Sequence, residues 1–446
     1  MDLRDRLRLL RAAGSSRPRG GPAPGATAPA RSQASAAETA GPRPARVGEA
    51  LQGYVRAVPS GETFYVETRY PAGHCRGPLP LAAVRSIPGP AWALLGPLPP
   101  SVEMERAIFL DTETTGLSGG SGTYAFLVGL GFFEGNQFVV RQYFLRDYPE
   151  EEALLEAAAE DLASGRVLVT FNGKAFDWPL LEERYRMHRR TPPLAGVPHL
   201  DLLHPSRRIW RERLPQCTLA TLEAQILGVL RERDVPGELI PQRYFDYLRT
   251  GNAEPLDEVL EHNRLDILSL VSLAAWLGRL VTDPFSPTAD GELVCGEDLF
   301  ALGRLFLHRG ALAEGIRCLE EARRRGVTVV SEVRLQRELA AAYKRARELG
   351  QALAIWQEMT AGAGSLTLYP YVEMAKYYEH VAHDYRAALR AARQALAVAE
   401  QRRRLAGPSS PRARRDIEEL RHRLARLERK LARSRSILDG FEPPPA

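Results

Sequence analysis

Three apolar runs between residues 106 and 145 limit most strongly what this chain can fold into. They read RAIFLDTET, TYAFLVGLGFF and QFVVRQYFL, and each is rich in the β-branched and aromatic residues that favour strands. The turn Glu134-Gly135-Asn136 separates the last two runs and predicts an antiparallel hairpin. A helical pattern, the strand-like run RVLVTFNG and a second helical pattern follow. This order predicts an α/β domain with a mixed sheet and flanking helices.

The rest of the 446-residue chain divides by composition. Residues 1–47 begin with a short amphipathic helical pattern and continue as a Pro-, Gly-, Ala- and Arg-rich stretch that is predicted to be disordered. The further predicted divisions are a small extended β subdomain at 48–102, the α/β domain at 103–282, a helical region at 290–400, and an Arg-rich amphipathic helix and tail at 401–446.

Bulk composition argues against several classes of protein. The 60 basic residues only slightly outnumber the 55 acidic ones, so the net charge does not by itself indicate a nucleic-acid-binding protein. A local basic groove is still compatible with this small net charge. The four cysteines are far apart, which argues against a disulfide framework or a structural zinc site. Because the isolated cysteines suit the reducing cytosol, we expect a cytoplasmic protein. We expect no membrane partner, because no apolar stretch nears the length that crosses a bilayer.

From residue 298 the chain reads as helices that repeat. Each unit carries a large–small pair and then an aromatic residue on its first helix, and the aromatic residues are Phe306, Tyr343 and Tyr378. Their spacing is close to the ~34-residue period of the tetratricopeptide repeat, which the region 290–400 resembles. A generic helical bundle is the alternative. Because such arrays present concave surfaces, the resemblance implies a module that recruits a protein partner.

The motif FLDTETTG ends the first strand-like run with two carboxylates, Asp111 and Glu113. Side chains at positions i and i+2 of a strand point to one face, and two carboxylates held together there are useful when a divalent cation bridges them. The same residue types also suit an ordinary strand end before a turn at Gly116. The motif alone leaves both interpretations open.

Further polar positions follow downstream. TFNGKAFDWPLLEERY places Asn172 at a strand end and Asp177 at the start of a helix, where aspartate is also a favoured cap. VLEHNRLDILSL places His262 and Asp266 four residues apart, so that on a helix they share a face. Asn263 beside them is a candidate positioning group. A histidine on a partly apolar helix is, by itself, better explained by a structural role.

Taken together, these motifs resemble the DEDD exonuclease superfamily, whose fold is ribonuclease H-like. The order is DxE on a strand, an Asn and an Asp at a strand-to-helix junction, and then a His and an Asp on a late helix. More narrowly, residues from about 105 to 281 resemble the YprB-type ribonuclease H-like domain. That resemblance depends on FLDTETTGLSGGSGTYAFLVGLGFF, LVTFNGKAFDWPLL, HLDLLHPSRRIWRERLPQCTLATLE and LEHNRLDILSL.

The resemblance implies a metal-dependent nuclease, most simply a 3′–5′ exonuclease acting on a single-stranded 3′ end of DNA or RNA. Asp111, Glu113, Asp177 and Asp266 match the four acidic positions, which would hold two divalent cations, Mg²⁺ or Mn²⁺, ~4 Å apart. His262 matches the residue that orients or deprotonates the attacking water. The spacing departs from the superfamily, which generally places this histidine five residues before the last aspartate rather than four.

Four further residues are predicted contacts to nucleic acid: Thr115, Asn172, Arg207 and Arg208. The two arginines belong to SRRIWRERL, which would contact phosphates or stack a base, although a solvated helix face around one buried tryptophan is the alternative. Asp201 is interpreted as a structural residue or a support for the metal ligands. The competing interpretation of the whole chain is a catalytically silent, nuclease-like scaffold whose repeats bind protein partners.

Overall fold

The computed structural model describes residue 47 and residues 50–116, 122–231, 234–287, 291, 293–361, 367–406 and 411–439. The amphipathic helix and disordered segment predicted before residue 47 lie outside the described residues. The strands are β1 (Tyr54–Val58), β2 (Gly61–Pro71), β3 (Ala107–Thr114), β4 (Ala125–Glu134), β5 (Gln137–Phe144), β6 (Val167–Thr170) and β7 (His199–Asp201). The helices of the α/β domain are α1 (Gly89–Leu95), α2 (Glu151–Leu162), α3 (Asp177–Met187), α4 (Leu203–Trp210), α5 (Leu219–Leu222), α6 (Ile240–Thr250) and α7 (Asp257–Thr282).

The described strands form one mixed sheet in the order β1-β2-β5-β4-β3-β6-β7. The pairs from β1 through β5 to β3 are antiparallel, whereas β6 and β7 continue from β3 in parallel. Gly135 turns the chain between β4 and β5 with a φ of 58°, in the left-handed region that glycine adopts readily. The predicted mixed α/β sheet is confirmed. The segment 48–102, predicted as a small β subdomain, contributes β1 and β2 to this same sheet.

Helix α7 crosses the sheet and packs on β3, β4 and β5. Two glycines of β4 allow this close approach, because a Cβ atom on Gly129 would lie 2.2 Å from Asn263 Oδ1 and one on Gly131 would lie 2.5 Å from Ile267 Cγ2. Among the described residues, Glu254–Thr282 alone is long and apolar enough to cross a membrane, and 78% of its apolar window is buried inside the fold. The expectation that no apolar stretch reaches that length was wrong, because this core helix does.

The two faces of the sheet support separate hydrophobic cores. Along β3, Ile108 and Leu110 face one core with α2, α3 and α6, while Phe109 faces the other with α7. The core on the α7 side continues without a break into the first helices after the α/β domain. Because side chains alternate along a strand, Asp111 and Glu113 share the face of Phe109, towards α7.

The described part of the chain after residue 293 is helical and lacks strands. Its helices are α8 (Gly296–His308), α9 (Leu312–Arg325), α10 (Val329–Arg345), α11 (Leu349–Ala361), α12 (Tyr369–His380), α13 (Tyr385–Ala406) and α14 (Pro411–Asp439). Successive pairs pack together, and Gly303 and Gly315 let α8 and α9 approach closely. Ile417 and Leu427 bury the seam of α14 against α12 and α13. The predicted all-helical C-terminal region is confirmed, and its tetratricopeptide character stays a prediction.

Candidate active site

Four acidic side chains meet where β3 ends, α3 begins and α7 crosses the sheet. Burial, and then the charges of Asp266, Asp177 and Glu113, raise the pKa of Asp111 well above its ordinary value. Burial and the charges of Asp266 and Asp177 do the same to the pKa of Glu113. Glu113 and Asp266 still expose 14% and 15% of their side chains, so the cluster is mostly buried but remains accessible to solvent. The structure thus brings the four predicted metal ligands together.

Asp111 is oriented by an amide network that reaches back into the sheet. Asn263 Nδ2 donates to Asp111 Oδ2 over 2.8 Å, and Gln142 Nε2 donates to Asn263 Oδ1 over 2.9 Å. Asn263 is fully buried, and Gly129 lies opposite Asp111 in β4. Because Gly129 has no side chain, the amide of Asn263 has room to lie over the sheet. Asn263 therefore fixes one carboxylate oxygen of Asp111.

Asp177 is tied to β3 across the turn between β6 and α3. Its Oδ1 accepts from Thr112 N over 3.1 Å and from Thr112 Oγ1 over 2.6 Å. Burial raises the pKa of Asp177, and the two hydrogen bonds from Thr112 oppose that rise. Asp201, itself buried, accepts from the backbone N–H groups of Asn172 at 2.8 Å and Leu203 at 3.1 Å. Asp201 thereby shapes the turn that delivers Asp177.

Asp266 is paired with an arginine that the sequence analysis did not single out. Arg231 donates to Asp266 Oδ1, its Nε lies 2.7 Å from Glu223 Oε2, and its side chain is only 8% exposed. Burial raises the pKa of Asp266, whereas the charges of Arg231 and His262 lower it. Burial opposes the charged form of Arg231, yet Asp266 and Glu223 raise its pKa above the ordinary value. One of the four acids therefore already has a cationic partner.

His262 presents one ring nitrogen to the acidic cluster and the other to Asp234. Its Nε2 lies 3.8 Å from Glu113 Oε1 and 3.7 Å from Asp266 Oδ2. Its Nδ1 lies 2.5 Å from Asp234 Oδ1. A proton on Nδ1, shared with Asp234, leaves Nε2 with a lone pair directed at the cluster. On α7, the four-residue spacing thus still turns His262 towards the acids.

The cluster suits a hard divalent cation, because carboxylate oxygens are the ligands that such a cation prefers. A cation between neighbouring carboxylates would also reduce their mutual repulsion. The side chains do not form a ready-made cage, however. Among the described residues, no three His, Cys, Asp or Glu side chains are arranged to hold a metal ion. Asp111, Asp177 and Asp266 each turn instead to a protein donor, namely Asn263, Thr112 or Arg231.

The other predicted contacts to nucleic acid lie at different places. The Thr115 hydroxyl accepts from Tyr124 N at 3.0 Å, which closes the neck of the loop after β3. Asn172 adopts a left-handed φ of 66° at the turn after β6. Arg207 and Arg208 are exposed on α4 and line a cavity against α8 and α10, apart from the acids.

Sequence reasoning missed Arg231, Asp234 and Glu223. Arg231 and Asp234 stand in a charged stretch of the sequence, and only the fold brings them next to Asp266 and His262 of α7. No local signal pointed to these three residues, since Gly129 of β4 marks only the close approach of Asn263.

Comparison with known proteins agrees with this geometry. The RNase_H superfamily matches residues 108–278, which run from β3 into α7 and include all four acids. A Bacillus subtilis (strain 168) protein described as "Uncharacterized protein YprB" is 33% identical over 327 residues, which cover 72% of this chain and 74% of that protein. The matched length reaches well beyond the ribonuclease H-like part alone. The chain therefore belongs to the YprB family and carries a domain of the ribonuclease H superfamily.

Proposed function

We propose that this chain is a metal-dependent nuclease that hydrolyses phosphodiester bonds of DNA or RNA, most simply as a 3′–5′ exonuclease on single strands. The observation that carries the proposal is the meeting of Asp111, Glu113, Asp177 and Asp266 in one cluster, where burial and the charges of Asp177 and Asp266 raise the pKa values of Asp111 and Glu113. Groups with strongly perturbed pKa values that gather in a reachable cleft are typical of active sites. The predicted cytoplasmic location and the repeat-bound protein partner remain parts of this proposal.

The four acids would be the ligands of two cations, Mg²⁺ or Mn²⁺. Such ions, when bound, ready a water for in-line attack on phosphorus and stabilise the leaving oxygen. The chain's own groups prepare the site. Asn263 and Thr112 hold Asp111 and Asp177 in fixed orientations, so these side chains would lose less conformational entropy when a cation binds. To hold a cation, Asp266 would have to give up its hydrogen bond to Arg231.

His262 is our candidate for the general base. Its Nε2 faces Glu113 and Asp266, so it lies on the side where a water bound between the acids would stand. Asp234 at Nδ1 keeps the ring in the tautomer that can accept a proton at Nε2. This dyad supports His262 as the base despite the unusual spacing from Asp266.

A silent scaffold is the second candidate, and the pairing of Asp266 with Arg231 favours it. If Arg231 permanently replaces a cation, the domain has a nuclease fold without a nuclease site. The helical region would then carry the function by binding a protein partner. The two candidates differ in one measurable property, which is whether divalent cations bind at the cluster.

The decisive experiment incubates purified protein with end-labelled single- and double-stranded DNA and RNA in the presence of Mg²⁺ or Mn²⁺. We expect a ladder of shortened products from the wild type and none from Asp111→Asn, which keeps the side-chain shape but removes a ligand charge. Asp246→Asn is the matched control, because Asp246 is 44% exposed on α6 and pairs only with surface residues. Failure of every substrate to be cleaved would favour the scaffold, whereas equal cleavage by Asp111→Asn would exclude Asp111 from the active site.

A further inference from the structure

A basic cleft lies where α4 of the α/β domain meets α8 and α10 of the helical region. Its volume is about 520 Å³. Its cationic lining comes from both parts of the chain and consists of Arg207, Arg208, Arg211, Arg304, His308 and Arg345. The site is distinct from the acidic cluster, none of whose four carboxylates lines it.

The charges in the basic cleft are unbalanced. Five arginines face two glutamates, Glu212 and Glu338, so the excess is three positive charges without counting His308. Glu212 is already shared, because it pairs with Arg304 at 3.1 Å and with Arg334 at 2.6 Å. Among the described residues, the other arginines of the cleft form no ion pair: Arg207, Arg208, Arg211 and Arg345. Cations held near one another without partners repel, and a bound polyanion removes that cost.

The walls of the basic cleft are fixed to each other. Trp210, fully buried at the end of α4, donates from Nε1 to Asp298 Oδ2 over 3.1 Å, and Arg213 Nε lies 2.9 Å from Asp298 Oδ1. Asp298 opens α8, so these bonds join α4 to the helical region. Glu212 adds a second link through Arg304 of α8 and Arg334 of α10. The unpaired arginines are therefore displayed on a rigid frame rather than on a loop.

The position of α4 connects this frame to the acidic cluster. Strands β3, β6 and β7 are parallel, so their carboxyl ends lie at the same end of the sheet. Asp111 and Glu113 lie at that end of β3, while α4 follows directly after Asp201 at the same end of β7. Asp201 accepts from Leu203 N at the start of α4 and from Asn172 N. A nucleic-acid strand that extends from the acidic cluster can therefore pass this end of the sheet and run along α4.

We propose that the basic cleft binds the sugar–phosphate backbone of a single-stranded nucleic acid, upstream of the 3′ end that the acidic cluster would receive. The proposal rests on the proposed function for its substrate class. Guanidinium groups grip phosphates through paired N–H donors, and the apolar floor of Ala301 and Leu305 offers a surface for sugars or bases. Recognition here reads backbone charge, so weak sequence preference is expected.

The test measures binding without cleavage. Fluorescence anisotropy in excess EDTA follows labelled single-stranded DNA and RNA oligonucleotides of about 12 nucleotides, a length within the ~4–16-nucleotide range of single-strand sites. We expect Arg207→Ala combined with Arg345→Ala to weaken binding on the order of 10-fold or more. Loss of two phosphate contacts also lowers the slope of log affinity against log salt by about 1.4. Arg249→Ala, which removes a 76%-exposed arginine from α6, is the matched control.

Lysine at both cleft positions retains the charge and should restore most of the binding, which separates loss of contact from loss of fold. Unchanged affinity and an unchanged salt slope in the alanine variant would overturn the proposal. So would preferential binding of polyglutamate over the oligonucleotides, since that outcome assigns the cleft to an acidic protein segment. If the wild type binds through the cleft but cleaves nothing, the cleft proposal stands and the nuclease proposal fails. If it cleaves but the cleft variants bind normally, only the cleft proposal fails.

Discussion

Replacing Arg231 with alanine separates a cation site from a permanently neutralised one. In the wild type, the guanidinium of Arg231 is 8% exposed and joins Glu223, Asp234 and Asp266. Removing one partner of a buried ion pair generally costs about 3–5 kcal/mol. Glu223 keeps Arg76 at 3.0 Å, and Asp266 keeps some contact with water, so we expect a loss near the lower end, about 3 kcal/mol, without divalent cations.

The response to cations carries the functional information. If Asp266 is a metal ligand, the wild type gives up its charged hydrogen bond to Arg231 on binding, at a cost of about 1.5–3 kcal/mol. Arg231→Ala has no such bond to break, so its apparent affinity for Mn²⁺ should be on the order of 10- to 100-fold tighter. Saturating Mn²⁺ should correspondingly restore much of the lost thermal stability, because a ligand that binds only the folded state stabilises it.

Isothermal titration calorimetry with MnCl₂ and thermal unfolding across a cation series measure the two effects independently of catalysis. Arg243→Ala is the control, since its pair with Glu258 is exposed on both sides and its loss should change neither quantity. Mn²⁺ affinity in Arg231→Ala equal to or weaker than that of the wild type would refute the exchange at Asp266. The silent scaffold would then be the better account of the domain.

Three further predictions concern the base, the sheet and the last helix. Asp234→Asn should slow single-turnover cleavage on the order of 10-fold and His262→Ala by ~10²–10⁴-fold, and equal rates in both variants and the wild type would contradict the dyad. Gly129→Ala should lower the free energy of unfolding in urea by about 1–3 kcal/mol, because its Cβ would lie 2.2 Å from Asn263 Oδ1, whereas Gly73→Ala meets nothing within 4 Å and serves as its control. Burial raises the pKa of Glu379, but hydrogen bonds from α14 lower it to about 2, so its contribution is present above its ordinary pKa of 4.5 and is lost as pH falls towards 2. That contribution is on the order of 3 kcal/mol, and the gap in urea stability between wild type and Glu379→Gln should shrink from pH 7 to pH 3, whereas a constant gap would contradict the assignment.

The local pattern was enough to predict the mixed sheet, whereas the set of four acids came from the resemblance to a known superfamily. Continuous apolar runs and the turn at Gly135 define the β4–β5 hairpin, and these are properties of neighbouring residues. The place of β2 beside β5 is different, because backbone hydrogen bonds between distant segments decide it. The amide network from Gln142 through Asn263 to Asp111 also joins separate elements, and spacing in the sequence carries no trace of it.

The surroundings of Arg207 and Arg208 could not be predicted from local sequence either. Both are readable from the sequence as basic residues on a helix around the buried Trp210. The sequence did not reveal that Arg345, more than a hundred residues later, completes the same cleft. That outcome depends on how α4 docks on α8 through Asp298, a contact between two parts of the chain that were assigned to separate domains.

The energetics of the acidic cluster favour a cation site over a silent fold. Arg231 pairs with Asp266 and its charge also lowers the pKa of Glu113, but among the described residues Asp111 and Asp177 accept hydrogen bonds only from neutral donors. A scaffold gains nothing from repelling carboxylates in its fold, since each raised pKa records a cost to the charged form. A domain that takes up divalent cations recovers that cost on binding. We therefore propose that Asp266 is the acid that changes partner, leaving Arg231 when a cation binds.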